Sequence, residues 1–341
     1  MKCVAIKGVK EFEIKEIEEP VSQNGEVVID VKKTGICGSD IHYWDLGQPV
    51  GLVMGHEYCG IVTNPGSRED LKVGDRVTAL PISPCNECPA CLTGNPQYCR
   101  QTWSHATGLS LTNPGGLAPK MKIRPDMVIK VPDNLTDEEV AMVEPTAVGL
   151  HAIHLADIKV GDKVLVIGAG IIGLVSAMFA KMEGASYVAI SETNEARAKR
   201  AIELGVADEW FDAKDEKVLE KWMEKTNGGF DLAVDCCGNS QAVSSAITAV
   251  HPGGKVLLVG VSMTPVTIPT IAAVMSEITI IGAIAYTKEE FQTCIDLMAN
   301  KQIDMMRFVD DIVDLEHVQE AYERLTSGTD SAVKILVDPN K

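Results

Sequence analysis

The chain has 341 residues, 45% of them hydrophobic, which is enough to bury the cores of two domains. Its 48 acidic against 31 basic residues give a formal charge of −17, which repels nucleic acid phosphates and anionic membrane surfaces and leaves a small molecule as the favoured partner. Met1 to Glu19 alternates charged and apolar residues with no basic segment followed by an apolar one, so no secretory leader is read there and a cytoplasmic protein is expected.

From residue 1 to about 144, short β-like runs (Glu26 to Val31, Gly60 to Thr63, Asp75 to Leu80) alternate with Gly, Pro and Asn turns and predict an irregular, largely β domain. Inside it, Cys85, Cys88, Cys91 and Cys99 are spaced C-x2-C-x2-C-x7-C, the pattern of a closed tetrahedral zinc site whose role is to order its own lobe. A zinc module for nucleic acid is excluded because Ala79 to Tyr98 contains no lysine or arginine. The other six cysteines show no disulfide framework, and Cys236 and Cys237 are read as buried, inert thiols after a strand.

Beyond about residue 145 strands alternate with helices: Lys163 to Ile167, Ile171 to Glu183, Tyr187 to Ser191, Glu195 to Leu204, Phe230 to Asp235, Ser240 to His251, Lys255 to Gly260 and Glu277 to Gly282. This is the texture of an α/β doubly wound parallel sheet. The stretch Val164 to Ala180 is nearly long enough to span a bilayer, but Gly168, Gly170 and Gly173 break it into strand, turn and helix, so no membrane segment is expected. The tail holds two amphipathic helices, Lys288 to Asn300 and Leu315 to Thr326, and a β-like run, Ala332 to Val337.

Gly168-Ala169-Gly170-Ile171-Ile172-Gly173 has the G-x-G-x-x-G spacing between a strand and a helix that lets a pyrophosphate approach the backbone and sit on the helix N-terminus. Glu192, at the end of the next strand, can accept hydrogen bonds from ribose hydroxyls and would repel a 2′-phosphate, which points to NAD. Arg197, Lys199 and Arg200 on the following helix leave room for NADP. Cys37 and His56 have the chemistry of catalytic zinc ligands, and such an ion needs one further protein ligand and an open position.

Cys37-Gly38-Ser39-Asp40-Ile41-His42-Tyr43-Trp44, Gly55-His56-Glu57-Tyr58-Cys59-Gly60 and Val143-Glu144-Pro145-Thr146-Ala147-Val148-Gly149, with the four-cysteine lobe and the glycine turn, resemble the zinc-dependent medium-chain alcohol dehydrogenases, in their sorbitol, xylitol and butanediol branch. The resemblance covers essentially the whole chain. It implies a GroES-like β-barrel catalytic domain (1–144), a Rossmann NAD-binding domain (145–285) and a return segment (286–341) that completes the catalytic domain, with the active site in the cleft between domains. It also implies one catalytic and one structural zinc, with Glu57 or Glu144 as the third catalytic ligand, and a dimer or tetramer. Ser39 and His42 would then carry the substrate proton outward.

Tyr43 and Trp44 either line the substrate pocket or pack the domain core. Gly282-Ala283-Ile284-Ala285-Tyr286 carries alanine where sorbitol dehydrogenases tend to carry arginine, and looks more like the butanediol branch. The activity implied is hydride transfer between NAD and a secondary hydroxyl of a polyol, sugar derivative or diol. A zinc-free reductase of the same superfamily, or a non-catalytic zinc protein retaining the fold, is the alternative.

Overall fold

The N-terminal alternation of apolar and charged residues folds as an antiparallel hairpin, β1 (Lys2–Gly8) with β2 (Glu11–Glu16). β3 (Val27–Gly35) then leads into the helix α1 (Gly38–Leu46), whose first turn is closed by a capping box between Cys37 and Asp40. β4 (Glu57–Asn64), β5 (Arg76–Ala79), the one-turn helix α2 (Pro89–Leu92) of the cysteine loop, β6 (Lys120–Ile123) and β7 (Val128–Lys130) follow. Thr136 and Glu139 form the capping box of α3 (Asp137–Ala141), and α4 (Val143–Ala156) follows it.

The next stretch is built from βα units: β8 (Lys163–Ile167), α5 (Ile171–Met182), β9 (Tyr187–Glu192), α6 (Glu195–Glu203), β10 (Glu209–Asp212), α7 (Val218–Thr226), β11 (Phe230–Asp235), α8 (Ser240–Ala249), β12 (Val250–Leu258), α9 (Thr270–Met275) and β13 (Thr279–Gly282). The six strands pair in parallel in the order β10-β9-β8-β11-β12-β13. Successive strands run outward from β8 on one side and from β11 on the other, so the order reverses between them. The carboxyl ends of strands at such a reversal are where open α/β sheets take ligands. The core of this unit includes Leu165, Ile167, Trp222, Phe230, Val243 and Val256.

The chain closes with α10 (Lys288–Ala299), β14 (Asp311–Val313), α11 (Val318–Thr326) and β15 (Ile335–Val337). β15 joins the earlier sheet, whose order is β14-β15-β3-β4-β5-β7 with β6 also on β3. In this computed structural model, which describes all 341 residues, the backbone divides into two units: Met1–Pro145 with Thr287–Lys341, and Thr146–Tyr286. Ile36, Trp44, Leu52, Tyr322 and Val337 belong to the core of the first unit. No helix is long and apolar enough to cross a membrane.

Several boundaries differ from the sequence reading. β10 and α7 lie in a stretch to which no element was assigned, since their charged residues mask a short strand and a short amphipathic helix. The helix predicted to His251 ends at Ala249, and β12 begins at Val250 because Val250 pairs with Phe230 before a register shift carries the strand past Pro252 and Gly253. Leu315 to His317 is a 3-10 turn ahead of α11.

Candidate active site and metal centres

In the lobe around α2, Cys85 and Cys91 have their sulfurs 3.9 Å apart, Cys88 and Cys91 3.5 Å, and Cys99 and Cys85 3.6 Å. Four sulfurs at about 2.3 Å from one zinc stand about 3.8 Å from each other, whereas bonded sulfurs lie at about 2.05 Å, so the spacing is that of four thiol ligands to one metal rather than of disulfides. Backbone N–H groups of Cys85 and Gln101 donate to the Cys99 sulfur, each at 3.4 Å. With Cys85 the leading contributor, they hold its thiol down at about 6, a thiolate near neutrality. Cys91 is pushed up to about 12 by burial and by its neighbouring thiols. A closed set of four sulfurs offers no open position.

The second group follows from strand register. β3 and β4 run antiparallel with Gly35 opposite Glu57, which brings Cys37, just past the end of β3, beside His56 and Glu57 at the start of β4. The ligand atoms of Cys37, His56 and Glu57 lie within 4.8 Å of one another. His56 is 4% exposed and Glu57 is fully buried.

The chemistry of this donor set, a thiol, an imidazole and a carboxylate with one unpartnered buried oxygen (Glu57 Oε1), fits zinc. Burial pushes the Cys37 thiol up, against the pull of His56. For His56 burial works downward, but Asp40 and Cys37 outweigh it and raise the imidazole well above its ordinary value. A bound cation reverses that balance, because it takes a neutral imidazole and a thiolate.

Two residues given no role by the sequence reading complete the group. Asp40, fully buried, accepts the Cys37 backbone N–H at 3.1 Å through Oδ2 and sets Oδ1 3.3 Å from His56 Nδ1, leaving Nε2 for a metal. Lys334, also fully buried, donates to the Ile36 carbonyl at 3.0 Å and pairs with Glu57 Oε2. It is brought there by β15, which lies antiparallel to β3 with Leu336 opposite Gly35. The available sign was a single lysine inside the apolar run Ala332 to Val337.

Ser39 donates to the Cys37 sulfur at 3.3 Å, and His42, one turn on, shares its face of α1; both are half-buried. Glu144 is buried in the first turn of α4 and is not a member of the Cys37 group. Trp44 is 2% exposed and packs against Phe12 and Tyr322, so it belongs to the core; Tyr43 is partly buried against the same cluster.

At the end of β8, Gly168 adopts φ +100°, and a β-carbon on Gly173 would overlap the Gly168 carbonyl oxygen, so the tight turn and the close packing of α5 both require glycine. Nothing stands within 4 Å of a β-carbon position on Gly170, the N-cap of α5, which keeps the approach to the helix N-terminus open. Ile171 is buried and Ile172 half-buried in the first turn.

Glu192 Oε2 accepts the Ala169 N–H at 2.7 Å, and Oε1 accepts those of Thr193 and Asn194 at 2.6 and 2.8 Å, which ties the carboxylate to the turn. It lines a cleft of about 540 Å³ with Gly168, Ser191, Thr193, Lys214 and Asn239. The Arg197 backbone N–H donates to Asn194 at the start of α6. Cys237 lines the same cleft and is exposed, and Cys236 is half-buried, which corrects the buried reading of both; burial of its sulfur and Asp235 still push the Cys237 thiol up to about 12.

Residues 23–133 match the alcohol dehydrogenase GroES-like domain and residues 172–300 the zinc-binding dehydrogenase domain. The chain is 32% identical to sorbitol dehydrogenase of Bacillus subtilis, with 100% of this chain and 98% of that one covered. It is also 32% identical to (R,R)-butanediol dehydrogenase of Neisseria gonorrhoeae, with both chains covered in full at 100%. The crystal structure of 2R,3R-butanediol dehydrogenase from Bacillus subtilis superposes with a TM-score of 0.88 at 31% identity over 99% of each chain.

A GroES-like domain with two zinc-type ligand sets, joined to a Rossmann sheet with a dinucleotide turn, defines a zinc- and nicotinamide-dependent oxidoreductase. The chain belongs to the zinc-containing medium-chain alcohol dehydrogenase family, whose reaction is hydride transfer at a CH–OH group.

Proposed function

We propose that this protein oxidises a secondary hydroxyl of a small polyol, sugar derivative or diol to the ketone with NAD, and reduces the ketone in reverse, at the site formed by Cys37, His56 and Glu57. The observation that carries this reading is the convergence of those three ligand atoms, with His56 and Glu57 buried and Ser39 on the Cys37 sulfur. The similarity to sorbitol and butanediol dehydrogenases supports the substrate class.

Zinc held there would lower the pKa of the substrate hydroxyl. The chain's own residues prepare that event. Asp40 engages His56 Nδ1, so that Nε2 is the nitrogen that would be offered to zinc, and Lys334 fixes the Glu57 carboxylate. Glu57 is our choice of third ligand over Glu144, supported by its place in the Cys37 group. Ser39 Oγ would accept the proton of the substrate hydroxyl as its own hydroxyl hydrogen passes on, and the His42 imidazole would hand that proton outward. Glu192 takes the adenosine ribose hydroxyls, and its charge disfavours a 2′-phosphate; Arg197, in the first turn of α6, is a basic group that would accept one.

Two tests follow. The protein should hold two zinc ions per chain, and Cys37→Ser should keep one, stay folded and lose NAD reduction with polyols and diols; retained turnover removes Cys37 from the reaction. Glu192→Ala should weaken NAD binding about tenfold and narrow the preference over NADP. An unchanged cofactor ratio refutes that assignment.

We also infer that two copies associate through the outer edge of β13, supported by the exposed apolar residues around it. The ten unpaired cysteines support a reducing, cytoplasmic setting.

A further inference from the structure

Asp40 and Trp44 lie one turn apart on the buried face of α1, and Tyr322 of α11 packs onto that face. The Tyr322 and Trp44 ring centroids are 5.6 Å apart, and Phe12 meets Tyr322 edge-on at 4.8 Å. All three of Asp40, Trp44 and Tyr322 are at most 2% exposed. In this aromatic nest Trp44 Nε1 and the Tyr322 hydroxyl lack a hydrogen-bond partner, and Asp40 Oδ1 has only His56 Nδ1 beside it, at 3.3 Å.

Buried polar atoms without partners are rare, because each has given up its bonds to water. A phenylalanine would fill the place of Tyr322 without that cost, so the hydroxyl needs a reason of its own. The three groups are complementary: an indole N–H that only donates, a carboxylate that only accepts, and a phenol that does either. A phenol keeps its proton at neutral pH, so it has a hydrogen to give.

We propose that Tyr322 is a positioning residue for His56, acting through Asp40. One buried water accepts from Tyr322 and Trp44 and donates to Asp40 Oδ1, which sets the rotation of the carboxylate against His56 Nδ1, 3.3 Å away. The inference rests on the reading of Cys37, His56 and Glu57 as a zinc site. It adds a link from the return segment near the end of the chain to an imidazole close to its beginning.

The test compares the zinc-loaded full-length protein with Tyr322→Phe, following zinc release to a chelator, the thermal midpoint and the visible spectrum of the cobalt-substituted form. Removing a direct outer partner of a ligand costs about 10–100-fold in metal affinity. One step further out, Tyr322→Phe should release the Cys37 site's zinc about 3–10-fold faster and shift the cobalt bands, with the four-cysteine zinc and the thermal midpoint unchanged.

Release at the wild-type rate overturns the proposal. So does a variant that loses both zinc ions together or fails to fold, because the hydroxyl would then serve packing rather than one ligand. A second arm adds Tyr322→Phe to Asp40→Asn: little further change supports action through Asp40, whereas effects that multiply overturn it. A wild-type protein binding only one zinc would unseat the proposed function itself, a result distinct from two zinc ions with unchanged release.

Discussion

A β-carbon on Gly35 would overlap Glu57 Oε2 and stand 2.9 Å from Lys334 Nζ, so the absence of a side chain there is what lets a carboxylate and an ammonium meet in a space closed to water. The pair is held between β4 and β15, with β3 in the middle. Removing one member of a buried ion pair costs about 3–5 kcal/mol because the other charge is left unpaired. Lys334→Met should therefore destabilise the metal-free protein by about that amount in urea unfolding, and the zinc-loaded protein by much less, since a bound cation also compensates Glu57. An equal loss in both forms would show that Lys334 is a structural cation with no part in holding the ligand. At this scale the sequence exposed the residues whose chemistry is unusual wherever they stand, the cysteines, His56 and the glycine turn. Asp40 and Lys334 were missed because an aspartate at a helix start and a lysine in a strand have ordinary roles until strand register brings them to one point.

At the scale of elements, the lobe carrying the four cysteines is tied to the sheet by side chains as well as by the chain. Asn86, in the left-handed region at φ 61°, donates to Asp126 Oδ2 at 2.8 Å, and Arg124 binds Asp126 with two N–H groups while reaching the Pro84 carbonyl at 2.8 Å. Burial would raise the Asp126 carboxyl, but Arg124 and Asn86 outweigh it and hold it below its ordinary value. A depressed folded-state pKa stabilises above the unfolded value, about 3.9, and the contribution fades as pH falls through the folded one. Asp126→Asn should thus speed amide exchange across residues 85–99 at neutral pH, with the difference from wild type shrinking below about pH 4; a difference that persists in acid would assign the effect to packing. The βα rhythm after residue 145 was legible because apolar runs and amphipathic stripes are long there. β10 and α7 were not, since four residues of Glu-Trp-Phe-Asp carry no alternation and α7 covers only nine. Trp44 could not be placed from sequence because an aromatic on α1 serves a pocket or a core equally well until Phe12 and Tyr322 close around it.

For the molecule as a whole, β13 is the last strand of the parallel sheet, and both Ile280 within it and the neighbouring Ile271, Val274 and Met275 are exposed, the latter three by 74–80%. Val261, Met263 and Ile284 extend the same apolar surface, and charged residues, the usual protection of a strand edge, are absent from Thr279 to Tyr286. An apolar edge of this kind is self-complementary: a second copy related by a two-fold axis presents the same strand, so every residue finds its equivalent opposite. Burying each such side chain contributes about 1.5–3 kcal/mol, whereas two chains of charge −17 repel one another over the Debye length. The two terms respond oppositely to salt. Sedimentation at micromolar concentration should give a dimer whose dissociation constant falls as ionic strength rises from low values, because screening removes the repulsion and leaves the apolar contact. Ile271→Glu with Met275→Glu should yield folded monomers at every salt concentration. A wild-type monomer, or a dimer that dissociates as salt is added, would mean that this edge is not the contact and that charge pairs elsewhere hold the copies together.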